Sequence, residues 1–154
     1  MDLSLSCCPI AFATPSFDEA LRLRYSVLRK PLGLDYEAED IAKEFDSIHL
    51  GCYQNTTAEL CGVLILKPLT ETTVKMRQVA VHSDTQGRGV GTYLVNYSED
   101  IARDLGFSRI ELHAREAAVP FYKKLGYESA GPYFSEVGIP HLFMFKELGP
   151  EGHP

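Results

Sequence analysis

Apolar residues first recur at helical spacing at Phe17, Ala20, Leu21, Leu23, Val27 and Leu28. Ser16, followed three positions later by Glu19, has the pattern of a capping box. Together they predict a helix over Phe17–Leu28, stopped by Pro31-Leu32-Gly33. An acidic stretch from Tyr36 to Lys43 reads as a second, short helix. Three strand-like runs follow, Ile48–Gln54, Leu60–Lys67 and Thr73–Val81, parted by turn formers such as Asn55 and Pro68. Their close spacing predicts an antiparallel meander.

The pattern then lengthens into a helix over Gly89–Leu105. Val90, Leu94, Tyr97, Ile101 and Leu105 lie on one stripe, Asn96, Glu99, Asp100 and Arg103 on the other face, and Gly106 supplies the C-cap. Ser108–Ala114 reads as a strand. Ala117–Leu125 reads as a helix that tolerates Pro120 in its first turn and closes at Gly126. Tyr127–Phe134 and His141–Lys146 complete the strands. There is no internal repeat, low-complexity segment or linker, and 154 residues suit a single domain over 1–154 with a loose tail at 149–154.

Charge narrows the partners. Fifteen basic against 21 acidic residues leave a net charge of −6, which argues against nucleic acid or an anionic membrane and leans towards a cationic substrate. The opening segment carries Asp2 where a secretory signal has basic residues, and Pro9 interrupts its apolar run. No apolar stretch approaches the roughly 20 residues that span a bilayer, so a soluble, cytoplasmic protein is expected. Cys7, Cys8, Cys52 and Cys61 form no Cys-x-x-Cys pair and have no histidines spaced to complete a zinc site. They read as small buried apolar side chains, without disulfide or metal.

The candidate chemistry centres on Gln86-Gly87-Arg88-Gly89-Val90-Gly91, between the strand ending at Val81 and the long helix. Glycines let the backbone approach a ligand, and a helix N-terminus offers N–H groups and a positive dipole end, together an anion site suited to a pyrophosphate. A Walker loop would need a Lys-Ser/Thr pair that is absent. A dinucleotide fingerprint would need glycine where Thr92 stands, and Glu111, twenty residues past Gly91, falls inside a strand instead of at a strand end. A glycine-rich strand-to-helix turn can also be geometry alone.

Gln86-x-x-Gly89-x-Gly91, opening a helix after a meander strand, resembles the acyl-CoA pyrophosphate signature of the GNAT superfamily of N-acetyltransferases. Val119-Pro120-Phe121-Tyr122-Lys123-Lys124-Leu125-Gly126-Tyr127 resembles the same superfamily's later motif, one helix and one strand further on. Leu23-Arg24-Tyr25-x-Val27-Leu28-Arg29 and Gly138-Ile139-Pro140-His141 are similar to its ElaA-like branch. The resemblance runs from Ala20 to Lys146 and implies an α+β acyltransferase fold: a mixed, mostly antiparallel sheet of six or seven strands with helices on both faces.

The same resemblance implies acetyl-CoA as co-substrate, no metal, a small-molecule or peptide amine as acceptor, and direct transfer in a ternary complex; it leaves room for a homodimer. The backbone of Val79, Ala80 and Val81 would bond the pantetheine. Gln86, Gly87, Arg88, Gly89, Val90, Gly91 and Thr92 would hold the pyrophosphate, with Phe121, Tyr122 and Lys124 completing the cofactor contacts. Two departures stand out: the run Ala114–Phe121 is compact and lacks the Asn that contacts CoA in many relatives, and Lys75 occupies the position of a glutamate base found in some.

A thioester is attacked by a neutral amine, whereas an alkylamine has a pKa of about 10.4, so a base must take a proton. Histidine suits that task, and His113 stands where related alanine acetyltransferases carry a glutamate. Tyr122, by its family position, would protonate the departing thiolate. Arg24, Tyr25, Arg77, Gln78, Glu136 and His141 are acceptor-pocket candidates by analogy with the fold, His82 reads as a solvated turn residue, and His49 and His153 carry no signal. The alternative function is a CoA-binding regulatory or interaction module without turnover.

Overall fold

The computed structural model describes residues 3–150; His153 and the expected tail beyond residue 150 lie outside them. Eight strands, β1 (Leu5–Pro9), β2 (Ile48–Gln54), β3 (Leu60–Pro68), β4 (Thr73–Val81), β5 (Arg109–Arg115), β6 (Glu128–Ser129), β7 (Phe134–Glu136) and β8 (Ile139–Glu147), follow the order β1-β2-β3-β4-β5-β8-β6, with β7 on β8. The pairing is mostly antiparallel, and β4 and β5 run parallel. The four principal helices are α1 (Pro15–Arg24), α2 (Ala38–Ala42), α3 (Val90–Asp104) and α4 (Val119–Lys124). This is the expected α+β class, with eight strands instead of six or seven.

Two compact units contain these elements, one of residues up to Lys67 with Gln78–Ser98, the other of Pro68–Arg77 with the residues from Glu99 onward. In the first unit, β1 pairs β2 from Leu5↔Gln54 to Pro9↔Leu50, and β2 pairs β3 with a bulge at Cys52/Tyr53. Ile10, Phe17, Ala20, Leu23, Leu60, Val63 and Ala80 form its core. Burying each large aliphatic side chain contributes about 1.5–3 kcal/mol. Gly62 is required by close packing: a Cβ there would meet Val90 Cγ1 at 2.9 Å.

The capping box expected at Ser16 is not formed. Thr14 is the N-cap, accepting from Phe17 N at 3.3 Å, and Pro15 fills the first turn, where its missing N–H costs nothing. The helix also ends earlier than expected, at Arg24, passing into a π-helical turn over Tyr25–Arg29 and a 3₁₀ turn over Lys30–Leu32 that stops at Gly33 with φ 68°. Strand β1, whose exposed positions give no clean alternation, adds to the expected set. Cys52 and Cys61 are buried as expected, but Cys7 is half-buried and Cys8 exposed.

In the second unit, β4 pairs β5 from Thr73↔Arg109 to Met76↔Leu112, and β5 pairs β8 from Arg109↔Glu147 to Arg115↔His141. Val74, Met76, Ile110, Leu112, Ala114, Leu142 and Met144 are buried along these strands. The expected strand Tyr127–Phe134 is broken: β6 keeps two residues, and Gly131 with φ 81° precedes Pro132, which has no N–H for a ladder. A hairpin of β7 and β8 replaces its end. Val137 (φ 46°) and Gly138 (φ 78°) make its two-residue turn, both central residues left-handed as a type I′ turn requires.

Helix α3 corrects one further expectation. Glu99, placed on its solvent face by pattern, is 0 % exposed, while Leu105, placed on the apolar stripe, is 57 % exposed. Glu99 accepts from Tyr127 Oη at 2.9 Å and from Lys146 Nζ at 3.0 Å, and Lys146 also donates to the Leu125 carbonyl at 2.8 Å. Pairing and hydrogen bonding make a buried carboxylate tolerable. Burial and the Glu99 carboxylate push the Tyr127 phenol well up.

Candidate active site

The glycine loop is built by local bonds. His82 follows β4 and its ring Nδ1 accepts from Asp84 N at 3.1 Å; Thr85 N and Oγ1 both donate to the His82 carbonyl, at 2.9 and 3.0 Å. Gln86 Nε2 donates to the Val81 carbonyl at 3.0 Å, so the first residue of the motif fastens the loop to the end of β4. Gly87 (φ 78°) and Gly89 (φ 88°) take left-handed conformations that an L side chain resists, in open space. Arg88 is exposed between them.

Tyr93 N donates to the Gly89 carbonyl at 3.0 Å as α3 begins. The first four N–H groups of an α-helix, here leading up to Tyr93, have no partner within the helix, and the first turn of α3 carries no acidic residue. Backbone donors without an intrahelical partner, a positive helix end and no competing carboxylate in that turn fit a pyrophosphate. Ala80 is buried, and Val79, Val81 and Gly91 are half-buried. Gln78 stands just before them with φ 55°, and its Oε1 accepts from Tyr36 Oη at 2.7 Å.

A titratable group of a different kind forms on β5, β7 and β8. His113 Nδ1 lies 2.9 Å from Glu136 Oε1, and His141 Nε2 lies 3.6 Å from Glu136 Oε2. An ionised carboxylate only accepts, so His113 donates from Nδ1 and its Nε2 keeps a lone pair. Phe134 meets the His113 ring edge-on at 4.9 Å between centroids and stacks on His141 at 6.1 Å. Partial burial pushes the Glu136 carboxyl up, but the His113 hydrogen bond and the charges of His113, His141 and Lys75 outweigh it and hold the group below the usual carboxylate value.

His141 is buried, and its Nδ1 lies 3.0 Å from the Ile139 carbonyl. That carbonyl cannot donate, so Nδ1 carries the hydrogen. Nε2 is then the ring nitrogen that faces Glu136. Tyr122, on α4 beneath Pro120, is 6 % exposed, and burial pushes its phenol far above the ordinary value, so it stays protonated throughout the neutral range. Its ring meets Phe121 and Tyr127 edge-on, while Lys124 is exposed at the end of α4.

Three residues expected singly, His113, Glu136 and His141, are thus joined in one network. Arg24, expected in an acceptor pocket, is instead buried, with Nη1 and Nη2 each 2.8 Å from a Glu44 carboxylate oxygen and its guanidinium 4.9 Å from the Tyr36 ring centroid. A fork-to-fork pair of this kind supports structure. Tyr25 is 37 % exposed at the start of the π turn, and Arg77 is half-buried on β4. Tyr36, which touches both Arg24 and Gln78, escaped the sequence reading because it carries no pattern of its own. His82 is exposed, and His49 is a core residue with Nε2 2.9 Å from the Glu44 carbonyl.

Among the described residues no group of three or more His, Cys, Asp or Glu could hold a metal ion, and no helix is long and apolar enough to cross a membrane. Residues 14–127 match the model of the acetyltransferase (GNAT) family, and the chain belongs to that family. It is 32 % identical over 130 residues to YjcF of Bacillus subtilis (strain 168), an uncharacterized N-acetyltransferase, covering 84 % of this chain and 91 % of that one. Two solved structures share the fold. An aminoglycoside 6'-N-acetyltransferase complexed with coenzyme A superposes with TM-score 0.79 at 20 % identity, covering 96 % of this chain and 99 % of that one. Escherichia coli ElaA superposes with TM-score 0.76 at 21 % identity, covering 94 % and 99 %.

Proposed function

We propose that this chain transfers the acetyl group of acetyl-CoA to the nitrogen of a primary amine by direct attack in a ternary complex. Family membership supports the reaction class, and the His113–Glu136 hydrogen bond at 2.9 Å carries the assignment of a base. Gln86–Thr92 hold the pyrophosphate, with Arg88 adding positive charge, and the backbone of Val79–Val81 bonds the pantetheine.

The amine nitrogen attacks the thioester carbonyl carbon, and His113 Nε2 removes the proton that the nitrogen sheds. Glu136 keeps His113 in the Nδ1–H tautomer and stabilises the imidazolium that forms. As the carbon–sulfur bond breaks, Tyr122 supplies a proton to the thiolate. The acidic net charge and the Glu136 carboxylate favour a cationic acceptor. We also place the chain near the ElaA-like branch, on Leu23–Arg29 and on the Gly138–His141 segment that turns β7 into β8.

The test is release of CoA from acetyl-CoA over a panel of primary amines, with acetylated product followed by mass. Acceptor-dependent release that falls in His113→Gln is expected. Acetyl-CoA binding with no turnover on any amine would instead favour a CoA-binding regulatory module.

A further inference from the structure

Strands β1 and β2 set two cysteines opposite each other, Cys7↔Cys52. The ladder's own hydrogen bonds define what kind of pair this is: Ile10 N donates to the His49 carbonyl at 2.7 Å and Asn55 N to the Ser4 carbonyl at 2.9 Å. In an antiparallel ladder, hydrogen-bonded and non-hydrogen-bonded pairs alternate. Ile10–His49, Cys8–Gly51, Ser6–Tyr53 and Ser4–Asn55 share one class, so Cys7–Cys52 falls in the non-hydrogen-bonded class. There the Cα atoms approach to about 4.5 Å and the facing side chains lie closest. That separation is within the roughly 4.4–6.8 Å that a disulfide spans.

The surroundings separate the thiols by role. Cys7 is half-buried and open to a small reagent, Cys52 is fully buried behind it, and Cys8 is exposed. Directly across from Cys8 stands Gly51, so Cys8 has no facing thiol. Cys61 Sγ donates to the Cys52 carbonyl at 3.3 Å on the β3 side. Against a lowering contact from Cys61, the Cys7 thiol and burial push the Cys52 thiol up to about 12, which leaves Cys7 as the first nucleophile and Cys52 as the slower, resolving one.

We propose that Cys7 and Cys52 are a modification site, closing into a reversible cross-strand disulfide when the protein meets a low-molecular-weight disulfide. Deprotonated Cys7 Sγ attacks one sulfur of the reagent, whose sulfur–sulfur bond breaks; one thiolate leaves and takes up a proton, giving a mixed disulfide on Cys7. Cys52 Sγ then attacks the Cys7 sulfur and releases the second thiol, which carries the Cys52 proton. The protein gives up two electrons and two protons, and the reagent gains both as two thiols. The bond ties the outermost strand β1, which pairs β2 alone among the described residues, to its neighbour. An unfastened β1 would bare the edge of β2 to other chains.

The whole reduced protein is incubated with glutathione disulfide and read by intact mass, peptide mapping and hydrogen exchange. The expected product has lost two hydrogens, retains two of its four free thiols, contains a Cys7–Cys52 linked peptide, and exchanges more slowly over Leu5–Pro9. Dithiothreitol reverses it, Cys8→Ser still forms it, and Cys7→Ser does not. A glutathione adduct at Cys8 alone, a Cys52–Cys61 link, or unchanged exchange in the linked protein would each overturn the proposal. None of these readouts depends on acetyl transfer, so the outcome is independent of the catalytic reading.

Discussion

Glu136 accepts a hydrogen bond from Nδ1 of His113 at 2.9 Å, across the pairing of β7 and β5 with β8. This fixes which His113 nitrogen is left to act as a base. Replacing Glu136 by Gln keeps a hydrogen-bonding group and removes the charge that favours imidazolium. We expect kcat to fall by about 10- to 100-fold, with KM for acetyl-CoA little altered. A purely structural role would lower thermal stability in step with turnover, so unfolding measured beside kcat separates the two.

The same carboxyl has a stability signature. Its folded value is held below the ordinary 4.5. Its contribution is therefore complete above that ordinary value and lost as pH falls through the lowered folded one. Glu136 is 44 % exposed, so the effect is small. Urea denaturation of the wild type and Glu136→Gln between about pH 3 and 6 should show the wild type's advantage vanishing at the acid end.

Burial raises the Tyr122 phenol further above an ordinary value that already keeps it protonated at neutral pH. In Tyr122→Phe the ring packing against Phe121 and Tyr127 persists, so thermal stability should change by no more than about 1 kcal/mol. Turnover should fall by about 10-fold or more, with KM for acetyl-CoA little altered. Unchanged turnover would remove Tyr122 from proton transfer.

Arg24 and Glu44 meet with two 2.8 Å contacts in the interior. Removing either partner alone strands a buried charge, so Arg24→Ala should cost about 3–5 kcal/mol in urea unfolding. Pairing Arg24→Met with Glu44→Leu should recover most of that loss. A substrate-binding Arg24 would show the reverse, an intact fold with a raised KM for the amine.

Much of this was legible in sequence, for identifiable reasons. The bounds of β2 and β4 follow from apolar runs closed by turn formers, and the glycine loop from a motif whose backbone demands are local. Glu99 was misplaced because its partners, Tyr127 and Lys146, lie far along the chain and only tertiary packing turns that face of α3 inward. The same distance hid the joining of His113 to Glu136 and His141: each residue was a candidate, but the type I′ turn at Val137-Gly138 that folds β7 onto β8 decides their contact. Ser16 with Glu19 has the capping-box pattern, but Pro15 favours a helix starting one residue after Thr14, and Thr14 takes the cap.

The most direct measurement is calorimetric titration with acetyl-CoA, set against NAD and ATP, on the wild type and on Gly89→Glu. Gly89 sits at φ 88° in open space, so a glutamate there both strains the loop and places a negative charge where the pyrophosphate would lie. Saturable binding of acetyl-CoA, absent with NAD and ATP and weakened about 10-fold or more by Gly89→Glu, is the expected result. No binding of acetyl-CoA, or equal binding of NAD, would contradict an acetyl-CoA-dependent acyltransferase.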